Sequence, residues 1–194
     1  MRYLWLVLLL VVLVAGCQVI PDARPEVPYG NGRMQIQHSW PHADLQLLQH
    51  AVFDTESERR EFLISTYFQQ QQLLVIALTL TGHELFRVTL TTDSIQVSGQ
   101  ERLPDPRLPL RLVAEMQLTL LPADSLNKRL TKLNIEDSDD KGWKRVVYQD
   151  SQVPVLTIEA NVAPLEADVV HITHAHYTIQ IATLERTMME TEHD

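Results

Sequence analysis

The stretch LLVIALTLTGHELFRVTLTTDSIQVSGQ, residues 73–100, decides the fold. It divides into three strand-like runs, residues 73–80, 84–91 and 94–98, separated by the turn-like pairs Thr81-Gly82 and Thr92-Asp93. In the second run Phe86, Val88 and Leu90 alternate with Arg87 and Thr89, the period of a half-buried strand. The first run is apolar at almost every position, which predicts cover on both of its faces. Short runs joined by tight turns predict an antiparallel meander rather than strands separated by helices.

Upstream, residues 61–68 add a fourth strand, set off by the glutamines at 69–72, while residues 45–53 read equally as strand or helix. Downstream the period changes. Residues 110–121 place Val113, Met116 and Leu120 at helical spacing. After Pro122 a second helix is expected, with Asp124 near its start, Leu126, Leu130 and Leu133 on one stripe, and Asn134 at its stop. Strands resume at residues 143–149 and 153–160 across Asp150-Ser151, with Pro154 at a strand start or edge, and one long strand is expected over residues 169–184. The class is therefore α+β, with the helices lying against an antiparallel sheet.

The chain opens with Met1 and Arg2, followed by an uncharged apolar segment, residues 3–15, that ends on the small residues Ala15 and Gly16. A membrane-spanning helix needs about 20 apolar residues. The shorter segment reads as an export signal over residues 1–16, cleaved before Cys17. Cys17 is the one cysteine of the chain, so no internal disulfide supports the fold, and a hydrophobic core has to hold it. Residues 18–44 contain Pro21, Pro25, Pro28 and Pro41 with Gly30 and Gly32, and read as a proline-rich tether. Residues 45–184 form one domain, and residues 185–194 a polar, acidic tail.

The 16 basic and 25 acidic residues give a formal charge of −9, and loss of residues 1–16 with Arg2 makes it −10. That balance argues against nucleic acid and against docking on anionic headgroups, both of which depend on a positive field.

Several stretches resemble reactive motifs and fail on spacing. In HITHAH, His174 and His176 would share one face of a strand and His171 the other, yet Tyr177, Ile179 and Ile181 make the apolar face, which leaves the pair among Thr178 and Gln180 on the solvated side. GHELF has Arg87 where a zinc-protease helix needs its second histidine. DSDDKG puts Lys141 at the third ligand position of a calcium loop and reads as a solvated acidic turn. The remaining glycines form no phosphate-binding pattern, and Ser98-Gly99 lacks the first glycine of a nucleophile elbow. No catalytic residue, metal or cofactor is expected.

Leu13-Val14-Ala15-Gly16-Cys17 resembles the lipobox of bacterial lipoproteins, which implies diacylglycerol on Cys17 and acylation of its freed amine. Gln18 stands where an aspartate would signal inner-membrane retention, so the resemblance implies a lipid anchor on the periplasmic face of the outer membrane. Residues 73–100, then LPLRLVAEMQLTLLPADSLNKRL (108–130), KRVVYQD (144–150) and HYTIQIATL (176–184), resemble an uncharacterised family of bacterial lipoproteins often found with aryl polyene biosynthesis proteins. More distantly they are similar to the outer-membrane lipoprotein acceptor LolB. The resemblance implies an incomplete antiparallel barrel of the LolA/LolB kind, its opening covered by helices, around a cavity for an acyl or polyene chain exchanged with a periplasmic carrier or envelope protein. Phe86, Val88 and Leu90 with Tyr177, Ile179 and Ile181 are the expected lining, since both strands carry an apolar face; the same faces also fit a closed core. The acceptor's exposed leucine before the turn glycine is absent: Thr81 precedes Gly82, and Leu80 lies one residue earlier. Two other readings fit the composition: a lipid-anchored adaptor for another envelope protein, and a hydrolase whose residues converge from separate strands.

Overall fold

A computed structural model of the chain describes residues 24–37, 44–69, 72–150 and 152–188. The lipobox and Cys17 lie outside the described residues. No helix among the described residues is long and apolar enough to cross a membrane.

The chain first forms a hairpin of β1 (Glu26–Tyr29) and β2 (Gly32–Gln35), which corrects the reading of residues 18–44 as tether throughout. Tyr29 pairs with Gly32 across the two-residue turn Gly30-Asn31, where Gly30 has φ +58°, a conformation that glycine adopts without steric cost. Pro28 is tolerated because β1 is the outer strand of the small sheet β1-β2-β8, where its missing N–H removes no ladder bond. Val27, Tyr29, Met34 and Ile36 are buried, so the hairpin is part of the core.

The main sheet begins with β3 (Leu45–Asp54), the segment that periodicity left open. The meander follows as β4 (Arg59–Gln69), β5 (Gln72–Leu78), β6 (Glu84–Leu90) and β7 (Ile95–Ser98). In β5 and β6, Leu73, Val75 and Ala77 stand opposite Leu90, Val88 and Phe86, all buried on the concave face. Burying each Val, Leu or Phe there stabilises the fold by about 2 kcal/mol. Leu74, Ile76 and Leu78 on the convex face are half-buried, so the expected cover on both faces is not found. In-register convex neighbours such as Tyr67 and Leu63, rather than a second layer, shield them.

The helical section contains α1 (Leu108–Leu120), close to expectation, but α2 is one short turn, Ala123–Asn127. The expected stripe through Leu130 and Leu133 is broken: Leu130–Thr131 is β8, paired with β2, and Leu133–Ser138 is β9. Lys132 between them has φ +57°, which no helix continues through. After β10 (Trp143–Gln149) and β11 (Val153–Ala160) the expected long strand is two, β12 (Val169–His174) and β13 (Tyr177–Met188), folded back on each other at Ala175-His176.

The ten-stranded sheet is antiparallel throughout, in the order β7-β6-β5-β4-β3-β13-β12-β11-β10-β9. Its outer strands β7 and β9 do not pair, so it is an open, incomplete barrel of the α+β class. One edge is a four-residue strand, and the other carries Glu136 and Asp137; short and charged edges of this kind resist edge-to-edge pairing. Helix α1 touches β6 on one side and β1 on the other, and every residue from Leu112 to Thr119 is buried.

Candidate functional site

The two ends of α1 are held differently, and the difference makes the site. At its C-terminus the buried Arg145 of β10 donates to the carbonyl oxygens of Leu118 and Leu121, the latter at 2.7 Å, and forms a two-pronged pair with Asp137 at 2.7 Å for each oxygen. Asp137 is thus a structural partner rather than part of a solvated turn. Along its outer side, Gln117 mimics a strand: its Oε1 accepts from the Gln37 N–H at 2.8 Å and its Nε2 donates to the Gln37 oxygen at 2.7 Å, which clamps the chain after β2 onto the helix.

At the N-terminus of α1 no side chain caps the helix, and the sheet leaves a cleft of about 670 Å³. Phe53 of β3, Phe62 of β4, Phe86 of β6, Leu108 of α1 and the loop residues Leu103 and Pro104 supply its apolar wall. Leu85 joins them because a bulge between Ala77 and Leu78 leaves it unpaired against β5. The loop wall exists because Gly99, at φ +81°, lets the chain leave β7 hard against β6, where a Cβ would meet the Leu85 oxygen at 2.5 Å. Charged residues ring the opening: Glu58, Arg60, Glu61, Arg102, Asp105 and Arg111.

Beyond Arg111 the space narrows to about 10 Å³ among Phe53, Phe62, Phe86, Leu112, Glu115 and Ile179, room for one water at most. At this floor the carboxyl of Glu115 accepts a hydrogen bond from the Tyr177 hydroxyl. Burial pushes the Glu115 carboxyl up to about 7, against the opposing pull of that hydrogen bond and of Arg111. Burial first, and then Glu115, raises Tyr177. The Tyr29 hydroxyl is buried with no hydrogen-bond partner among the described residues, and burial followed by Glu115 keeps it protonated. The ring of His174 stacks on Tyr177 at 4.6 Å between centroids; burial, then His176 and Arg111, lowers its basicity.

Of the residues expected to line a cavity, Phe86 lines the cleft and Ile179 its constricted floor, while Tyr177 binds Glu115. Val88 and Leu90 are fully buried with α1 packed over the sheet, and Ile181 borders a space of only about 30 Å³ near Met116 and Leu120. His174 does not share a solvated face with His176, because the turn between β12 and β13 brings it opposite Tyr177 on the concave side; His171 is exposed on the convex side. Leu80 is 56% exposed at the β5–β6 turn, beside Gly82. Sequence reasoning passed over Arg111 and Glu115. Their signal was two charges four apart, in line with Leu108, on a helix otherwise apolar on that side.

Two solved structures are similar in outline. A LolA superfamily protein from Nitrosomonas europaea matches with a TM-score of 0.46 and 8% identity over 79% of this chain and 89% of that one. A domain from Vibrio parahaemolyticus described as a “putative outer membrane lipoprotein-sorting protein domain” matches with a TM-score of 0.42 and 9% identity over 81% of this chain and 89% of that one. No curated protein matches. Residues 46–185, from the second residue of β3 to within β13, match one family along their length, and the chain belongs to that family, described as protein of unknown function (DUF3261).

Proposed function

We propose that the chain is an envelope lipoprotein, anchored through Cys17 on the periplasmic face of the outer membrane, whose open barrel takes up one acyl or polyene chain and assists its transfer or placement. The observation that carries this reading is the cleft at the N-terminal end of α1. Its volume, about 670 Å³, falls in the range of small-molecule sites, and aromatic and aliphatic side chains supply most of its wall. The lipobox and the acidic charge support an envelope location reached by acylation rather than by attraction to lipid headgroups. The reading assigns no bond-making step to the protein; a periplasmic carrier or another envelope protein would supply or receive the chain.

The test uses the mature chain carrying Cys17→Ala, purified without detergent, and the neutral apolar dye N-phenyl-1-naphthylamine. Dye binding is expected, and Leu108→Trp, which fills the cleft from its rim, is expected to weaken it about tenfold while the melting temperature moves by no more than about 4 °C. Equal binding by a folded Leu108→Trp protein overturns the reading. So does an empty protein that takes up no dye and copurifies with one envelope protein, the result an adaptor gives.

A further inference from the structure

The charges around the cleft are paired, with one exception. Glu58 is held by Arg60 at 2.6 Å, Glu61 by Arg59 and His50 at 3.2 Å each, and Asp105 by Arg107 at 3.0 Å. Arg102 reaches Glu101 at 3.5 Å. Arg111 has no carboxylate within ion-pair distance among the described residues; its guanidinium lies 5.7 Å from the centre of the Tyr177 ring. The nearest acid along its own helix, Glu115, is one turn deeper, buried and already bonded by Tyr177. Arg111 therefore stands half-buried where the apolar cleft meets the core, with Asp105 and Glu115 near enough to feel its charge but neither within ion-pair distance.

A guanidinium taken partly out of water gains most from an anion, and its planar fork fits a carboxylate with two parallel hydrogen bonds. Size restricts the rest of the ligand. At about 30 Å³ for each water-sized group, a cleft of about 670 Å³ holds roughly 20 non-hydrogen atoms. That is one long chain with its head, and too little for the paired or triple chains of a membrane lipid or lipoprotein anchor.

We propose that the cleft binds a single long-chain carboxylate, with its carboxylate on Arg111 and its chain along Phe53, Phe62 and Phe86 toward Leu85. The inference rests on the apolar-chain reading and narrows it from any apolar chain to an acid. Its site is set by strands β3, β4 and β6 and helix α1, with Arg111 at their meeting point.

The experiment compares cis-parinaric acid, a fluorescent conjugated fatty acid, with its methyl ester, on the mature Cys17→Ala chain and on the same chain with Arg111→Leu or Arg111→Lys. The acid is expected to bind about tenfold more tightly than the ester, and Arg111→Leu to abolish that preference without weakening the ester. Arg111→Lys is expected to keep part of the preference, since a point charge replaces the fork. Equal binding of acid and ester to the unsubstituted chain overturns the inference but leaves the apolar-chain reading standing. An acid preference that survives Arg111→Leu, or loss of acid and ester together in that folded variant, also overturns it. If neither probe binds the unsubstituted chain, the apolar-chain reading fails with it.

Discussion

The two ends of α1 lie in the same concave sheet and have opposite surroundings. At the C-terminal end, two main-chain carbonyls and one carboxylate converge on the buried Arg145, and the space near Met116 and Leu120 shrinks to about 30 Å³. At the N-terminal end the helix has no side-chain cap, the chain enters from a loop rather than a strand, and a cleft remains. The contrast shows how an open barrel divides its labour. One end of the helix supplies cohesion, and the other leaves apolar surface open.

The largest effect is expected where the pinning is removed. Arg145→Met strands Asp137 and the Leu118 and Leu121 carbonyls, at a cost of about 4 kcal/mol in denaturant unfolding. A loss below about 1 kcal/mol would mean that the C-terminal end is no better held than the other.

Glu115 sits between the two ends, faced by Tyr177 from β13, Tyr29 from β1 and Arg111 from its own helix, with His174 of β12 stacked behind Tyr177. Its carboxyl rises from 4.5 in the unfolded chain to about 7 in the fold, so between those values the folded state binds more protons. Stability from this group is therefore full below about pH 4.5 and declines as pH rises to about 7, by about 3 kcal/mol in total. Glu115→Gln keeps an acceptor for Tyr177 and removes the charge. Relative to the unsubstituted chain it is expected to gain about 3 kcal/mol at pH 8 and almost nothing at pH 4.5, read from urea titrations at both values. A pH-independent difference would show that Glu115 is not the group that ionises there.

The smallest effect is at the hairpin that covers the helix. Tyr29→Phe removes a buried hydroxyl that has no hydrogen-bond partner among the described residues, and is expected to stabilise the fold by about 1 kcal/mol. Destabilisation in the same urea titration would show that the hydroxyl has a partner and that the hairpin side of the helix is as fully bonded as the Arg145 end.

Legibility in the sequence followed the range of the interactions. The bounds of β10 and β11, residues 143–149 and 153–160, read directly from local pattern, as did the alternation of β6. The β1–β2 hairpin is masked by prolines that read as breakers, although Gly30-Asn31 between alternating apolar residues is a hairpin signal and Pro28 lies on an outer strand. Leu130 kept helical spacing with Leu126 while pairing with Met34, almost a hundred residues away, a partner that no local period reveals. By contrast, the buried phase shifts from Val170 and Ile172 to Tyr177, Ile179 and Ile181 across Ala175-His176, a slip of one residue that marks the turn and that a single long strand would not show. The cleft was legible only in part. Phe86 belonged to a readable strand, but Phe53, Phe62, Leu103 and Leu108 meet it only through the order of strands in the sheet.

The hairpin from the proline-rich segment also bears on how the body would hang from the proposed anchor at Cys17. Only residues 18–25 separate Cys17 from β1, and eight residues reach at most about 29 Å when fully extended. A body of this size has a radius of gyration of about 15 Å, so the leash is no longer than the body is wide. On the proposed lipid anchor at Cys17, rotation at the bilayer surface would be confined, and any tug from the membrane would arrive first at the strand pair lying on α1 and at the Gln37–Gln117 clamp behind it.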